Sequence, residues 1–256
     1  MIKTLLFSCI VLLSSFTAQA TKANTSSDTS LHDKEVIVLA HGLARGKASM
    51  WLLHGRLEYA GYQVCAIDYT TLGATIDEVL SESFNEITAC VNGSQKIHFV
   101  GHSLGGLVIR HFLTQSDKQA QNIQLGEVVI IGTPNKGSPV ADQLEDHFIM
   151  SIAGEVGFAL MRGKNTLGKT LPPFNTPVGV IAGTKSSPVT NAFFSQPNDG
   201  LVSVDSTKVE QMKDVIALPV GHAGMRYSQD VADQVIQFIR QGRFDHSVST
   251  TSETRL

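Results

Sequence analysis

The chain has 256 residues, a formal net charge of −3, 42% hydrophobic residues and 17% charged residues. This length and composition suit a single α/β domain with a substantial core. The charge gives no reason to expect nucleic acid or an anionic membrane as a partner. Beyond the N-terminus, no stretch approaches the roughly 18 apolar residues of a membrane span.

Residues 1–20 have the pattern of a signal peptide, with a positive start, an apolar centre and an Ala-Gln-Ala cleavage site. An uncleaved anchor would need a longer apolar run. Cys9 lies inside that run, with too little sequence before it for a lipoprotein signal. We therefore expect cleavage near Ala20 and export to the periplasm or the medium. A polar, flexible lead-in is predicted over 21–34.

The body of the chain alternates between strand-like and helix-like patterns. Strand-like runs occupy 36–40, 63–68 and 97–100, and the first of them is continuously apolar, as in strands buried on both faces. Helical spacing of apolar residues separates them, over 48–60 and 76–91. This alternation predicts βαβ units and hence a parallel sheet.

Export would leave Cys65 and Cys90 in an oxidising compartment. Two interpretations stay open for them. They form a disulfide, or they are two buried thiols, since Cys65 falls in a strand-like run and Cys90 near a helix end. Geometry decides between the two. Neither cysteine is predicted to be catalytic.

Residues 101–105 read Gly-His-Ser-Leu-Gly and lie between a strand-like and a helix-like run. This arrangement resembles the nucleophile elbow of α/β-hydrolases. The sharp turn of an elbow needs small residues two before and two after the nucleophile, and Gly101 and Gly105 fill these places. The turn would aim the next helix N-terminus at the developing charge. Ser103 is therefore the predicted nucleophile, and His102 beside it is expected to shape the site.

His41-Gly42-Leu43 follows the first strand directly. In α/β-hydrolases the loop at this point gives one backbone amide to the oxyanion hole, and the residue after the nucleophile gives another. The resemblance thus implies the amides of Leu43 and Leu104 as donors. We interpret His41 as a brace for the loop, because another histidine suits the role of base better.

Four motifs occur in the order found in one family: A-H-G-L, G-H-S-L-G-G, G-T-P-N-K-G-S and N-D-G-L-V. With them the chain resembles bacterial α/β-hydrolases of the lipase/esterase type, EstA-like and triacylglycerol lipase-like. The resemblance implies a mostly parallel central sheet flanked by helices, in a catalytic domain over 35–244. It implies no cofactor.

Residues 139–177 interrupt the alternation and are too many for an ordinary connection. Apolar residues within this segment recur at helical spacing. In one interpretation the segment is a small cap that covers the active site and gives the acyl chain a place to lie. In the other it is a helix packed flat on the sheet edge. Its position favours the cap, and an exposed apolar cap face would favour transient contact with a membrane or lipid surface.

The fold needs an acid and then a histidine after the nucleophile in chain order. Asp199, in the N-D-G-L-V motif after the strand-like run 178–183, and His222, after a later strand-like run, fill these places. His222 would take the Ser103 proton and later protonate the leaving alcohol, while Asp199 fixes its tautomer. Asp205 is a rival acid, for which we favour a solvated position at the edge of a turn.

No metal site is predicted. The remaining histidines lack the spacing of paired ligands. Gly224 stands where several related lipases have a calcium-binding aspartate, and Asp205 stands where some of them have a disulfide cysteine. A helix over 225–240 is expected to complete the fold, followed by a disordered polar tail over 245–256.

These features predict a secreted serine carboxylic-ester hydrolase, a lipase or esterase, that forms an acyl-enzyme on a small-molecule or lipid ester. An acyltransferase with the same triad is the alternative, because it differs only in the access of water. A non-catalytic binding protein with a hydrolase fold is disfavoured, because such proteins usually lack a member of the triad.

Overall fold

A parallel β-sheet forms the centre of the fold. The computed structural model describes residues 35–91, 96–119, 124–143 and 148–247, and within these six strands pair in the order β2-β1-β3-β4-β5-β6. All five neighbouring pairs are parallel. The strands are β1 (Val36–Ala40), β2 (Gln63–Ala66), β3 (Lys96–His102), β4 (Gln124–Ile131), β5 (Val178–Gly183) and β6 (Met212–Leu218).

Helices cover the two faces of this sheet. They include α1 (Trp51–Tyr59), α2 (Ile76–Val91), α3 (Leu104–Gln119) and, near the end of the described chain, α8 (Gln229–Gln241). Between them lie α4 (Pro139–Gln143), α5 (Phe148–Ala159), α6 (Leu167–Thr170) and α7 (Val204–Thr207). The predicted architecture, a mostly parallel sheet flanked by helices, is confirmed.

Successive strand residues point to opposite faces, so the sheet separates two apolar cores. In β3, Phe99 belongs to the core shared with α2 and α3. Its neighbour Val100 belongs to the core shared with α1 and α8. Every residue of β1 and β5 is buried, which explains why these strands are apolar without alternation.

The helix predicted over 225–240 begins later than expected. Residues His222–Arg226 form a separate 3₁₀ helix, and α8 starts after Ser228, whose hydroxyl accepts a hydrogen bond from the Val231 amide at 3.4 Å. A serine in this position satisfies an amide that has no acceptor inside the helix. The helix ends at Gly242, which has φ 65° and closes it in a left-handed conformation.

The segment 139–177 contains α4, α5 and α6 rather than one long helix. Gly154, with φ 55° and ψ −144°, breaks the helical path inside α5. Beyond this kink, the Glu155 carboxylate accepts a hydrogen bond from the Ile76 amide at the start of α2, at 3.1 Å. The buried side chains of Val156 and Leu160 belong to the apolar cluster of α2 and α3. The segment is therefore anchored to the helices on that face.

Cys65 of β2 and Cys90 of α2 form a disulfide, with their Cα atoms 5.9 Å apart. Of the two states that were open from the sequence, the structure has the bonded one. The bond ties the edge strand β2 to the helix that packs on its face of the sheet.

The predicted signal peptide (1–20), the lead-in (21–34) and the tail beyond residue 247 lie outside the described residues. Of the predicted tail, residues 245–247 lie in the described part of the chain. The buried Gln234 side chain bonds both the amide and the carbonyl of Asp245, at 2.9 and 2.8 Å, and so fixes this part of the chain. Of the helices in the described ranges, none has the length and apolar character needed to cross a membrane.

We expect the double substitution Cys65→Ser/Cys90→Ser to lower the free energy of unfolding by about 3 kcal/mol, because the bond closes a loop in the unfolded chain. The two cysteines are 25 positions apart in the sequence. Urea unfolding followed by circular dichroism measures the change. Reductant should lower the stability of the wild type to that of the variant and leave the variant unaffected. Equal stabilities without reductant would show that the bond contributes nothing.

Candidate active site

Ser103 lies on the turn between β3 and α3, at the carboxyl edge of the sheet. Its φ of 57° is in the left-handed region, which few residues other than glycine adopt. Two backbone hydrogen bonds hold this conformation, from the Ser103 amide to the Ile131 carbonyl at 2.8 Å and from the Gly106 amide to the Ser103 carbonyl at 3.0 Å. The strained turn directs the Ser103 side chain toward a cavity that it helps to line.

Glycines allow α3 to approach the sheet at this turn. A Cβ atom at Gly101 would lie 2.6 Å from the Gly106 nitrogen, and one at Gly105 would overlap the carbonyl of Ala40 in β1. The contacts thus explain why both positions are small. Gly106, which was not among the predicted site residues, is constrained in the same way, since its Cβ would overlap the Thr133 side chain.

The structure brings the three predicted catalytic residues together. The loops that follow β3, β5 and β6 carry Ser103, Asp199 and His222, and the carboxyl ends of parallel strands meet at one edge of the sheet. His222 Nε2 lies 3.0 Å from Ser103 Oγ, and His222 Nδ1 lies 2.7 Å from Asp199 Oδ2. The residues are 8%, 3% and 9% exposed in chain order.

Backbone groups hold the acid and the histidine in place. Asp199 Oδ1 accepts hydrogen bonds from the amides of Leu201 and Val202, at 2.9 and 2.7 Å. The His222 amide donates to the Asp199 carbonyl at 2.8 Å. With the Asp199 carboxylate as acceptor, His222 Nδ1 carries the proton, and Nε2 is left to accept from the Ser103 hydroxyl.

The two predicted oxyanion donors lie beside the nucleophile. A Cβ at Gly42 would be 3.0 Å from Ser103 Cβ, so the loop before Leu43 contacts the serine directly. Leu104 is the first residue of α3, where an amide has no acceptor within the helix. Neither of these amides donates a hydrogen bond to another described residue. Both are therefore available to an acceptor from outside the protein.

His41 is buried and braces the loop, as its position suggested. Its Nδ1–H donates to the Gly42 carbonyl at 2.9 Å, and its ring stacks on Tyr69 with centroids 4.1 Å apart. The Tyr69 hydroxyl donates to the His41 carbonyl. Burial lowers the pKa of His41 and so favours the neutral ring.

His102 supports His222 through the His222 backbone carbonyl. Its Nε2 lies 3.0 Å from the His222 carbonyl, to which the protonated nitrogen donates. Burial, together with the neighbouring His222, holds the pKa of His102 well below its usual value. The ring is therefore neutral, and its Nδ1 has no hydrogen-bond partner among the described residues.

Asp205, the rival acid, is not in contact with His222. Its side chain is 49% exposed and forms ion pairs with Lys136 at 3.1 Å and Lys208 at 3.9 Å. It lies in the first turn of α7. The structure thus places Asp199, and not Asp205, at the histidine.

The Thr-Pro-Asn-Lys-Gly-Ser loop after β4 is connected to the segment 139–177 through Arg110 of α3. Arg110 Nη1 donates to Asn135 Oδ1 at 2.7 Å and to the Gly168 carbonyl in α6 at 3.0 Å. Asn135 Nδ2 donates in turn to the Thr207 carbonyl at 2.7 Å. Burial lowers the pKa of Arg110 to about 10. No sequence signal marked this arginine, because its role depends on tertiary contacts.

A cavity of about 300 Å³ opens beside Ser103 and His222. Apolar residues form most of its wall, and the segment 139–177 supplies four of them: Val140, Ala141, Gly157 and Leu160. This position over the serine favours the cap interpretation over a helix on the sheet edge. Two residues of the wall, Arg45 and Arg226, were not among the predicted site residues. Among the described residues, no cluster of histidine, cysteine and carboxylate side chains could hold a metal ion.

Comparisons of the sequence with known proteins identify a family and a partial relative. A family model described as "Domain of unknown function (DUF7379)" matches residues 11–182, a range that includes Ser103 but ends before Asp199. A curated relative, norfluorocurarine synthase 2 from Strychnos sp, is 29% identical over 126 residues. The matched part is 46% of each chain, so the chain spans about half the length of this relative.

Three solved structures are similar in fold. The mature lipase BlEst2 of Bacillus licheniformis has a TM-score of 0.55 and 19% identity, over 73% of this chain and 83% of that chain. A lipase-esterase related protein of Clostridium acetobutylicum has a TM-score of 0.52 and 14% identity, over 80% and 93%. A metagenomic carboxyl esterase has a TM-score of 0.55 and 18% identity, over 77% and 66%. The chain therefore has the predicted α/β-hydrolase fold.

We expect Gly101→Ala to lower the free energy of unfolding by about 1–3 kcal/mol, because its methyl group has no room beside the α3 backbone. Gly55→Ala is the matched control. Gly55 lies in α1, where a Cβ would meet nothing within 4 Å, so alanine should raise the stability by up to about 1 kcal/mol. Urea unfolding of the two variants measures both changes. A Gly101→Ala protein as stable as the wild type would contradict the proposed packing at the turn.

Proposed function

We propose that this chain, which belongs to the family described as a domain of unknown function (DUF7379), is a serine hydrolase of carboxylic esters. One observation carries the proposal. An unbroken series of hydrogen bonds joins Asp199, His222 and Ser103, and the serine opens on an apolar cavity. The names of the structural neighbours, which include lipases and a carboxyl esterase, support the same reaction class.

In the first half of the reaction, Ser103 Oγ attacks the ester carbonyl carbon while His222 Nε2 takes its proton. The Asp199 carboxylate stabilises the imidazolium that forms. The carbonyl oxygen becomes negative, and the unpartnered amides of Leu43 and Leu104 are the donors that would hold it. When the tetrahedral intermediate collapses, the carbon–oxygen bond to the alcohol breaks, His222 protonates the alcohol, and the acyl group stays on Ser103.

In the second half, His222 takes a proton from a water molecule, and the resulting oxygen nucleophile attacks the acyl-enzyme. The second tetrahedral intermediate releases the carboxylic acid, and the proton returns through His222 to Ser103. One water is consumed for each ester. An acceptor alcohol in place of this water would give the acyltransferase reaction instead.

The cavity favours small substrates. Small-molecule sites commonly measure about 300–1,000 Å³, and this one lies at the lower limit with about 300 Å³. Its apolar wall suits an acyl chain, which gains free energy when it leaves water. We therefore propose esters with short or medium acyl chains. Phe158 of α5, which is 46% exposed, offers apolar surface for transient contact with lipid.

We further propose that the enzyme is exported after cleavage near Ala20. The disulfide between Cys65 and Cys90 supports this location, because such bonds persist in oxidising compartments and are rare in reducing ones.

We expect the wild type to hydrolyse p-nitrophenyl esters, with a maximum of kcat/KM between acetyl and octanoyl among chains up to palmitoyl. The Ser103→Ala variant should lose at least about a thousandfold in kcat, because it lacks the nucleophile. A fluorophosphonate probe followed by peptide mass spectrometry should label Ser103 alone. Folded protein that neither takes the label nor hydrolyses any ester of the series would overturn the proposed function.

Asp199→Asn should lower kcat on the order of 10³- to 10⁴-fold, because an amide facing His222 favours the wrong ring tautomer. The matched control is Asp205→Asn. It makes the same change in a residue that is paired with Lys136, and it should leave kcat within about twofold, because exposed ion pairs contribute little. Initial rates on one p-nitrophenyl ester compare the two variants. Comparable losses in both would show that Asp199 is not the specific partner of His222.

A further inference from the structure

Two arginines stand in the wall of the apolar cavity beside Ser103. Arg45 follows the loop that carries Leu43, and Arg226 ends the 3₁₀ helix that begins with His222. Among the described residues that line the cavity, none is aspartate, glutamate or lysine. This wall is therefore cationic, although the chain as a whole has a formal net charge of −3.

Arg226 is a buried cation without an anionic partner. It is 4% exposed, and no described carboxylate forms an ion pair with it. Its Nη1 donates one long hydrogen bond to the Ser49 carbonyl at 3.3 Å, and its guanidinium lies 4.9 Å from the centre of the Tyr227 ring. Its Nε has no partner among the described residues. Burial of a charge that is neither paired nor fully hydrogen-bonded is costly.

Arg45 adds a second positive charge near the first. Its side chain donates only to the carbonyl of its own neighbour, Ala44, at 3.0 Å, and it forms no ion pair with a described residue. Burial lowers the pKa of Arg226; Tyr227 acts in the opposite direction, and the charge of Arg45 lowers the pKa further. Because like charges repel, two arginines without a carboxylate between them favour an anion at this place.

The contacts of Arg45 and Arg226 within the protein do not explain why two arginines lie in this wall. The hydrogen bond from Arg226 to Ser49 ties the 3₁₀ helix His222–Arg226 to a second 3₁₀ helix, Lys47–Met50, but it leaves the charge without a counterion among the described residues. Arg45 is exposed and, within the described ranges, forms no hydrogen bond between elements. A planar guanidinium is well suited to carboxylates and phosphates, because its N–H groups match the spacing of two oxygens.

We propose that Arg45 and Arg226 form an oxyanion-binding subsite in the cavity, so that the preferred ester carries a carboxylate or a phosphate besides the bond that is cleaved. This inference rests on the proposed function and deepens it by naming the substrate class. The apolar wall binds the hydrocarbon part of such an ester, while the arginines bind its charged end.

Two substrate pairs test the subsite and separate the two sources of charge. In the first, the mono-p-nitrophenyl ester of hexanedioic acid, with a free carboxylate on the acyl side, is compared with p-nitrophenyl hexanoate. In the second, the butanoyl ester of glycerol 3-phosphate, with a phosphate on the alcohol side, is compared with the butanoyl ester of glycerol. The measured quantity is the ratio of kcat/KM for the charged substrate to that for the neutral one.

We expect this ratio to exceed one for at least one pair and to fall by about two- to fivefold in Arg45→Gln, because an exposed charge pair contributes modestly. Lys47→Gln is the matched control, since Lys47 is an exposed cation two residues away that does not line the cavity. It should leave the ratio unchanged. In the wild type the ratio should also fall as salt rises from 20 to 500 mM. If the Arg226→Gln protein folds, its ratio should be lower than that of the wild type by at least about tenfold. If it does not fold, the Arg45→Gln variant alone tests the subsite.

A binding measurement separates failure of the subsite from failure of the proposed function. In Ser103→Ala protein, calorimetry should find hexyl phosphate or hexanoate bound at least about tenfold more tightly than hexanol, with the advantage lost on addition of Arg45→Gln. If the wild type cleaves no ester but the protein binds anions in a way that depends on Arg45, the proposed function is overturned and the subsite is supported. Neutral esters cleaved through Ser103, with a ratio near one that Arg45→Gln does not change, would overturn the subsite alone.

Discussion

The close contact of α3 with strands β1 and β3 is the constraint on which the candidate site depends. It is set by the absence of side chains at Gly101 and Gly105, where a Cβ would overlap backbone atoms. Because the helix can start so close to the sheet, Ser103 is held at φ 57° and its side chain leaves the strand toward the cavity. The same short turn makes Leu104 the first helical residue, with an amide that has no acceptor inside the helix.

Backbone hydrogen bonds hold the other two residues of the proposed triad in place beside the serine. Leu201 and Val202 fix one oxygen of Asp199, and the His222 amide binds the Asp199 carbonyl. The carbonyl of His222 accepts from the neutral ring of His102. These hydrogen bonds hold the acid and the histidine in position, which is the condition for a preorganised site.

Much of this arrangement could be predicted from the sequence, because its signals are local. The strands are short apolar runs, the elbow is a five-residue motif, and the acid and base follow in a fixed chain order. Ser103, Asp199 and His222 could therefore be named before their distances were known. Their proximity follows from the parallel sheet, which brings the carboxyl ends of distant strands to one edge.

Other features depend on tertiary contacts that no local pattern records. The disulfide requires Cys65 and Cys90 to face each other across β2 and α2. The start of α8 shifted to Gln229 because Ser228 caps it. Residues 139–177 divide at the Gly154 kink into shorter elements, and their role over the serine depends on what they pack against. Likewise, only the hydrogen bonds of Arg110 to Asn135 and Gly168 show that it connects the loop after β4 to the segment 139–177.

The unpaired guanidinium of Arg226 in the cavity wall indicates what kind of ligand the cavity would bind. The Asp199 carboxylate accepts from two amides and from the His222 ring, so it is already engaged and does not serve as a counterion to Arg226. The apolar surroundings that strengthen the proposed Asp199–His222 interaction also raise the cost of an unpaired guanidinium. Folding alone would favour a neutral residue at position 226. A group that lowers the stability of the fold is expected beside a nucleophile when it serves to bind a ligand. For the guanidinium of Arg226, an anionic substrate would be the missing partner.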